Sequence, residues 1–331
     1  RDMAVVELRT LTKPEWLNTA LDTLTDVLVN PAFPKTNFER NRSLMQLNLE
    51  QQKEQPEAVA GLELNKLLYG NHPYGIPSDG TMESLKAIKI ADIRQFYQRF
   101  YVAKNMTIAM VGSLNRAEAE KIAEQLSSGL PSGTPADNLP KPQLAAPGKH
   151  EKLNHPSTQA HLLIATLGLS REDEDEYYPL YVGNEILGGS GFSSLLNDEI
   201  RQKRGLSYSV GSGFTPMRQT GPFAISLQTK ADQVGEAEKV VHETLHKFLQ
   251  DGPTAEQVES AKRNIINSFP VSVSNNSGVV GYLGAMGFYD MPLDYLDNYL
   301  ARIQAVTPEQ IKAVFNKRVK ENDLITVIVG P

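Results

Sequence analysis

DIRQFYQRFYVAKNMTIAMVG, residues 92–112, aligns without gaps on QIKAVFNKRVKENDLITVIVG, residues 310–330. Ile93 falls on Ile311, Tyr97 on Phe315, Arg99 on Lys317, Met110 on Ile328 and Gly112 on Gly330, at a constant offset of 218 residues. In both stretches an amphipathic helical pattern runs into an apolar strand closed by glycine. Units of this kind recur by chance, but a register held over 21 residues points to internal duplication. The second copy starts near residue 151, so the first is expected to start about 67 residues before Arg1. Only its later part is then carried by this chain.

PSGTPADNLPKPQLAAPGK, residues 131–149, holds five prolines and little apolar periodicity, and reads as an extended linker. It divides the chain into a first repeat at 1–130 and a second at 150–331. In the first, the patterning predicts strands at 3–10 and 105–112 and helices near 14–29, 36–52, 57–69, 90–101 and 115–127, with Thr12 as N-cap and Pro14 in the first turn of the leading helix. In the second, alternation predicts strands at 160–169, 206–214 and 222–230. Helical patterns fill 175–187, 192–202, 232–250, 254–269, 276–288, 292–304 and 308–318, and LITVIVG forms a closing strand. The expected class is α+β.

Composition narrows the function. The 331 residues suffice for two domains of ordinary size. A net charge of −6 without a long basic run argues against nucleic acid as the main partner. No apolar run approaches the roughly 20 residues needed to span a bilayer, so no membrane partner is expected. The chain has no cysteine, which excludes disulfides and thiolate-held zinc. It opens at Arg1 in a strand-like stretch, as a chain cut from a longer one would.

His242, Glu243 and His246 spell H-E-x-x-H, a zinc signature when both histidines share a helix face and the glutamate activates water. Here Val234, Val241, Leu245 and Phe248 form the apolar stripe, the histidines lie roughly 100° to 140° away from Val241, and Glu243 points to the far side. The histidines read as a solvated flank. His72, Pro73, Tyr74 and Gly75 read as a loop-packing feature.

LGGSGFSSLLNDEIRQKRGLSYSV, residues 187–210, carries more information. Gly188, Gly189 and Gly191 make a turn at a helix start, Ser193 and Ser194 can satisfy its free amides, and Gly205 ends the helix before a strand. Arg201 falls near the helix end and Tyr208 on the strand. By themselves these two read as an arginine paired with a nearby acid and a half-buried tyrosine.

The whole pattern resembles the insulinase/pitrilysin family of zinc metallopeptidases, of the mitochondrial-processing-peptidase type, in its second, non-zinc repeat. Residues 28–45, 72–101 and 105–114 are similar to the later part of that family's first repeat. The resemblance implies two homologous α/β-sandwich domains, each a mixed sheet packed against helices, with the first incomplete at its amino end. It also implies that Arg201 and Tyr208, with the turn of Gly188, Gly189 and Gly191, bind substrate backbone. In the family zinc sits on an inverted H-x-x-E-H of the first repeat plus a later glutamate. No such motif occurs here, and the expected carboxylate falls on Gln46, Leu47 or Asn48, with Glu50 nearby but out of register. The implied protein has no catalytic or metal-binding residue of its own. It would complement a zinc-bearing paralogous subunit in a heterodimer or act as a homo-oligomer, with a peptide as substrate, and relatives of this size point weakly to a bacterial periplasm. Two alternatives stand beside it: a non-proteolytic peptide-binding scaffold, and a complete zinc peptidase whose metal motif lies upstream of Arg1.

Overall fold

The computed structural model describes residues 2–331. Twelve α-helices are present among them: α1 (Pro14–Val29), α2 (Lys35–Lys53), α3 (Pro56–Tyr69), α4 (Met82–Ala87), α5 (Ile90–Phe100), α6 (Arg116–Ser128), α7 (Glu174–Asn184), α8 (Val234–Asp251), α9 (Ala255–Ser272), α10 (Asn276–Phe288), α11 (Tyr295–Ala305) and α12 (Pro308–Arg318). Five strands form one mixed sheet: β1 (His150–Asn154), β2 (Gln159–Leu167), β3 (Ser207–Phe214), β4 (Pro222–Lys230) and β5 (Ile325–Gly330). Prolines at the first turns of α1, α3 and α12 start those helices without losing an intrahelical bond. Lys13, not Thr12, is the N-cap of α1, and its side chain makes no capping bond.

The sheet order is β1-β5-β2-β4-β3, with β1 parallel to β5 and every other pair antiparallel. Its two faces are both buried, as a mixed sheet between helical layers requires. On one face Ile325, Val327, Val329 and Ala165 pack under Ala60, Leu64 and Leu68 of α3. The opposite face carries Leu162, Ile164, Phe223 and Ile225. There Phe315 of α12 meets Phe223 and Phe248 edge-on, with centroids at 6.3 and 5.0 Å. Fully burying such side chains contributes about 1.5–3 kcal/mol each.

The duplication extends beyond the quoted stretch. Adding 218 to the starts of α1, α2, α3 and α5 gives the starts of α8, α9, α10 and α12 to within two residues. By the same offset residues 4–12 answer to β4 and 107–112 to β5. The predicted strands at 3–10 and 105–112 form no ladder, however. Strand character needs hydrogen bonds from a neighbour, and in the second repeat β2 lies between the two equivalents and bonds both.

Spatially the chain forms two compact units that partition it differently from the repeats. One comprises the chain through Leu49, Asp79–Asn138 and Pro270–Tyr295; the other comprises Glu50–Ser78, Leu139–Phe269 and Leu296–Pro331. The repeats thus exchange equivalent helices. In one unit α3 of the first repeat covers β5 of the second. In the other, α10 of the second repeat lies against the first repeat's equivalent of β5, where Thr107 Oγ1 donates to the Gly287 carbonyl at 3.5 Å.

Candidate functional site

The helix predicted at 192–202 is broken into pieces, and the breaks build the site. α7 runs into a π-helical turn at Glu185–Gly189, followed by a 3-10 turn at Gly191–Ser193 and a second π-helical turn at Asn197–Gln202. Wide turns of this kind are uncommon and concentrate at functional sites.

Two glycines are needed for this path. A Cβ on Gly188 would lie 2.4 Å from Ser212 Oγ and 2.6 Å from Ser212 N, so only glycine lets the turn approach β3 this closely. Gly191 has φ +59°, the left-handed region that suits glycine. Gly189 is an exposed member of the same turn. Ser194 donates its hydroxyl to the Gly191 carbonyl at 2.8 Å and accepts from Asn197 N at 3.4 Å. The turn is therefore bonded in place. Glu185, half-buried at its start, has its carboxyl pushed above the usual range by burial.

Arg201 sits in the second π-helical turn, and its guanidinium carbon is 4.6 Å from the centroid of the Phe192 ring. Among the described residues no acid pairs with it, contrary to the pairing that the residues alone suggested. The neighbouring cations differ. Lys203 Nζ lies 2.7 Å from Glu199 Oε1 and 2.8 Å from Asp198 Oδ2, and Arg204 pairs with Glu199. Those bonds hold the Glu199 carboxyl below its ordinary range.

Tyr208 follows across a turn closed by Gly205 N to Arg201 O at 3.0 Å and Leu206 N to Ile200 O at 2.9 Å. A bulge between Ser207 and Ser209 interrupts the β3–β4 register. Counted back from the buried Val210, strict alternation would turn Tyr208 inward. The extra residue instead leaves Tyr208 and Ser209 both outward before Val210 returns to the core. Tyr208 is consequently 84% exposed rather than half-buried.

Phe192 is the residue that sequence reasoning missed. It is 69% exposed. In the unit of Glu50–Ser78, Leu139–Phe269 and Leu296–Pro331, the large apolar side chains left exposed among the described residues are Leu62, Ile76, Phe192 and Tyr208, the last two aromatic. The positions of these two in the sequence, on either side of Arg201, are the available sequence signal. Exposed aromatics beside an arginine mark a contact surface better than scattered aliphatics do.

The other sequence candidates go elsewhere. His242 Nε2 lies 4.0 Å from Glu238 Oε1, His246 Nδ1 lies 3.0 Å from Glu321 Oε2, and Glu243 faces Lys239. The buried stripe of α8 is Ala237, Val240, Val241, Leu245, Phe248 and Leu249, and the H-E-x-x-H residues lie off it. His72 engages both ring nitrogens in loop packing, Nδ1 accepting from Tyr74 N at 3.1 Å and Nε2 lying 2.8 Å from the Pro140 carbonyl oxygen. Gln46, Leu47 and Asn48 lie on α2, and Glu50 pairs with Lys53 at 3.0 Å. Among the described residues no group of three or more His, Asp or Glu could hold a metal ion. These residues do not fit a zinc site. No helix among the described residues is long and apolar enough to cross a membrane.

Known proteins place this geometry in context. The family profile described as Peptidase M16 inactive domain matches residues 87–265. The structure of a peptidase M16 inactive domain from Pseudomonas fluorescens superposes with a TM-score of 0.93 at 40% identity, covering 97% of this chain and 77% of that one. A Bacillus subtilis protein named uncharacterized zinc protease YmxG is 26% identical over 95% of this chain and 76% of its own length. Helicobacter pylori has a relative named non-peptidase homolog YmxG, 25% identical over 96% of this chain and 73% of its own length.

Proposed function

This chain belongs to the peptidase M16 family through its inactive domain, and from that premise we propose that it grips a peptide's main chain and completes the active site of a zinc-bearing partner subunit. Arg201 and Tyr208 are the gripping residues. A guanidinium presents a fork of N–H donors and a phenol one O–H, both suited to a carbonyl oxygen and to the oxyanion that forms on it. The partner supplies zinc to activate water, and this chain orients the substrate and stabilises the developing charge.

The observation that supports this reading is the contrast among three neighbouring cations. Lys203 and Arg204 are engaged with acids, whereas Arg201 rests against an aromatic ring and pairs with no acid among the described residues. A surface arginine held in that way is prepared for an external acceptor.

The test is reconstitution. The purified chain alone should neither hold stoichiometric zinc nor cleave peptides, and should raise cleavage when mixed with a zinc-bearing paralogue. R201A and Y208F should each remove that gain. Tight stoichiometric zinc in the isolated chain would overturn the proposal. A gain that survives both substitutions would instead favour a scaffold without a catalytic part, the reading that the non-peptidase name of the Helicobacter relative supports.

A further inference from the structure

We infer that Phe192 is the positioning residue for Arg201 and also the apolar wall of a subsite, so that the peptide segment gripped carries an aromatic or large aliphatic side chain. This rests on the reading of Arg201 as a donor to peptide main chain.

The ring and the guanidinium are locked as one unit. Arg201 lies over the ring at 4.6 Å, while the next residue, Gln202, donates its side-chain N–H to the Phe192 carbonyl at 2.7 Å. The turn carrying Phe192 is tied from the other side by Ser194, whose hydroxyl donates to the Gly191 carbonyl. A long arginine side chain otherwise samples many rotamers. Contact with an aromatic ring restricts those rotamers without taking up the guanidinium's N–H donors in an ion pair, as an acid partner would.

The same arrangement carries specificity. Phe192 keeps 69% of its surface exposed even though Arg201 contacts it, so apolar ring surface remains available next to the guanidinium. A carbonyl oxygen approaching Arg201 brings its own side chain toward that face. An apolar side chain would remove ring surface from water, and a small or charged one would not.

The test uses the full chain, with F192L, F192A, F192W and R201A, and a pair of fluorescein-labelled heptapeptides that differ only in a central Phe or Ala. Heteronuclear NMR reads the Arg201 side chain directly, without any ligand. Its Hδ protons should show an upfield ring-current shift that disappears in F192L and persists in F192W. By fluorescence polarisation the Phe peptide should bind about three- to tenfold more tightly than the Ala peptide. F192A should lose about three- to fivefold in affinity for the Phe peptide and flatten the preference, and F192W should keep both. Arg201 Hδ signals in F192L at the parent's position would overturn the positioning role. Affinity lost in R201A but kept in F192A would overturn the subsite while leaving Arg201 as the grip. Affinity unchanged in R201A, or no binding of either peptide by the parent chain, would overturn the grip itself, and the subsite with it.

Discussion

Asn184 and Ser212 exchange two hydrogen bonds: Asn184 Nδ2 donates to the Ser212 carbonyl at 3.0 Å, and Ser212 Oγ donates to Asn184 Oδ1 at 2.7 Å. β3 is the last strand of the sheet, so the carbonyl of Ser212 would otherwise be an unpaired edge group. Asn184 is buried, and it fixes the end of α7 to β3 where Gly188 passes closest. N184A should therefore destabilise the chain by about 1–3 kcal/mol, because it leaves a buried acceptor unsatisfied. Urea unfolding should show a lower midpoint at unchanged slope.

Arg201 and Arg204 should respond oppositely to the same truncation. R201A is expected to weaken peptide binding about tenfold or more, the usual effect of losing a charged hydrogen-bond donor. R204A removes a partner of Glu199 and should leave binding unchanged. R201K should behave like R201A, since an ammonium lacks the planar fork of donors that a guanidinium presents. Titration of one labelled peptide against all three variants decides the matter.

Acid should unfold the protein partly through Arg318. Burial pulls the carboxyls of Asp173 and Glu176 upward, but hydrogen bonds from Ser170 and Arg318 to the first, and from Arg318 and Lys317 to the second, outweigh it. Both are held below their ordinary values. Lowered carboxyls contribute stability that is present above the unfolded values and lost as pH falls through the folded ones. Stability should accordingly decline below about pH 4. R318Q should flatten that acid limb while lowering the midpoint at pH 7, as urea titrations at pH 3–7 would show.

Glu185 has the opposite sign. Burial raises its carboxyl, so the folded state holds its proton more tightly than the unfolded chain does, and stability falls as pH rises through the folded value. E185Q should raise the urea midpoint at pH 7 and leave it near the parent's at pH 4. An equal effect at both pH values would mean that the substitution acts through packing.

Because the repeats exchange helices, neither should fold by itself. A fragment of residues 139–331 lacks α3 and bares Ile325, Val327, Val329 and Ala165 on one sheet face. It should melt without a cooperative transition and regain one when mixed with residues 1–138, as followed by circular dichroism. Cooperative melting of 139–331 by itself would count against mutual dependence of the repeats.

Much of the architecture is legible in the sequence because it is local. Helices α1, α3, α10 and α12 follow from apolar periodicity, prolines at first turns and caps, all of which act within a few residues. The 218-residue repeat and the pattern around Arg201 and Tyr208 are likewise properties of residue order. What periodicity could not reveal depends on partners distant in the chain. β1 is short and its burial alternates only weakly, so its pairing with β5 decides it. Residues 3–10 and 105–112 are apolar enough for strands, yet without a neighbouring ladder they remain extended chain.

At the site, residue order by itself set an arginine, a tyrosine and three glycines within one stretch of 21 residues. Tertiary structure alone decided that Tyr208 faces outward, since a bulge against β4 resets the alternation, and that Arg201 stays free of acids, since Glu199 turns to Lys203 and Arg204. It also set Phe192 beneath the guanidinium. Hydrogen-bond registers between strands and the choice among competing ion partners depend on where the folded backbone places groups in space, and no local pattern records that.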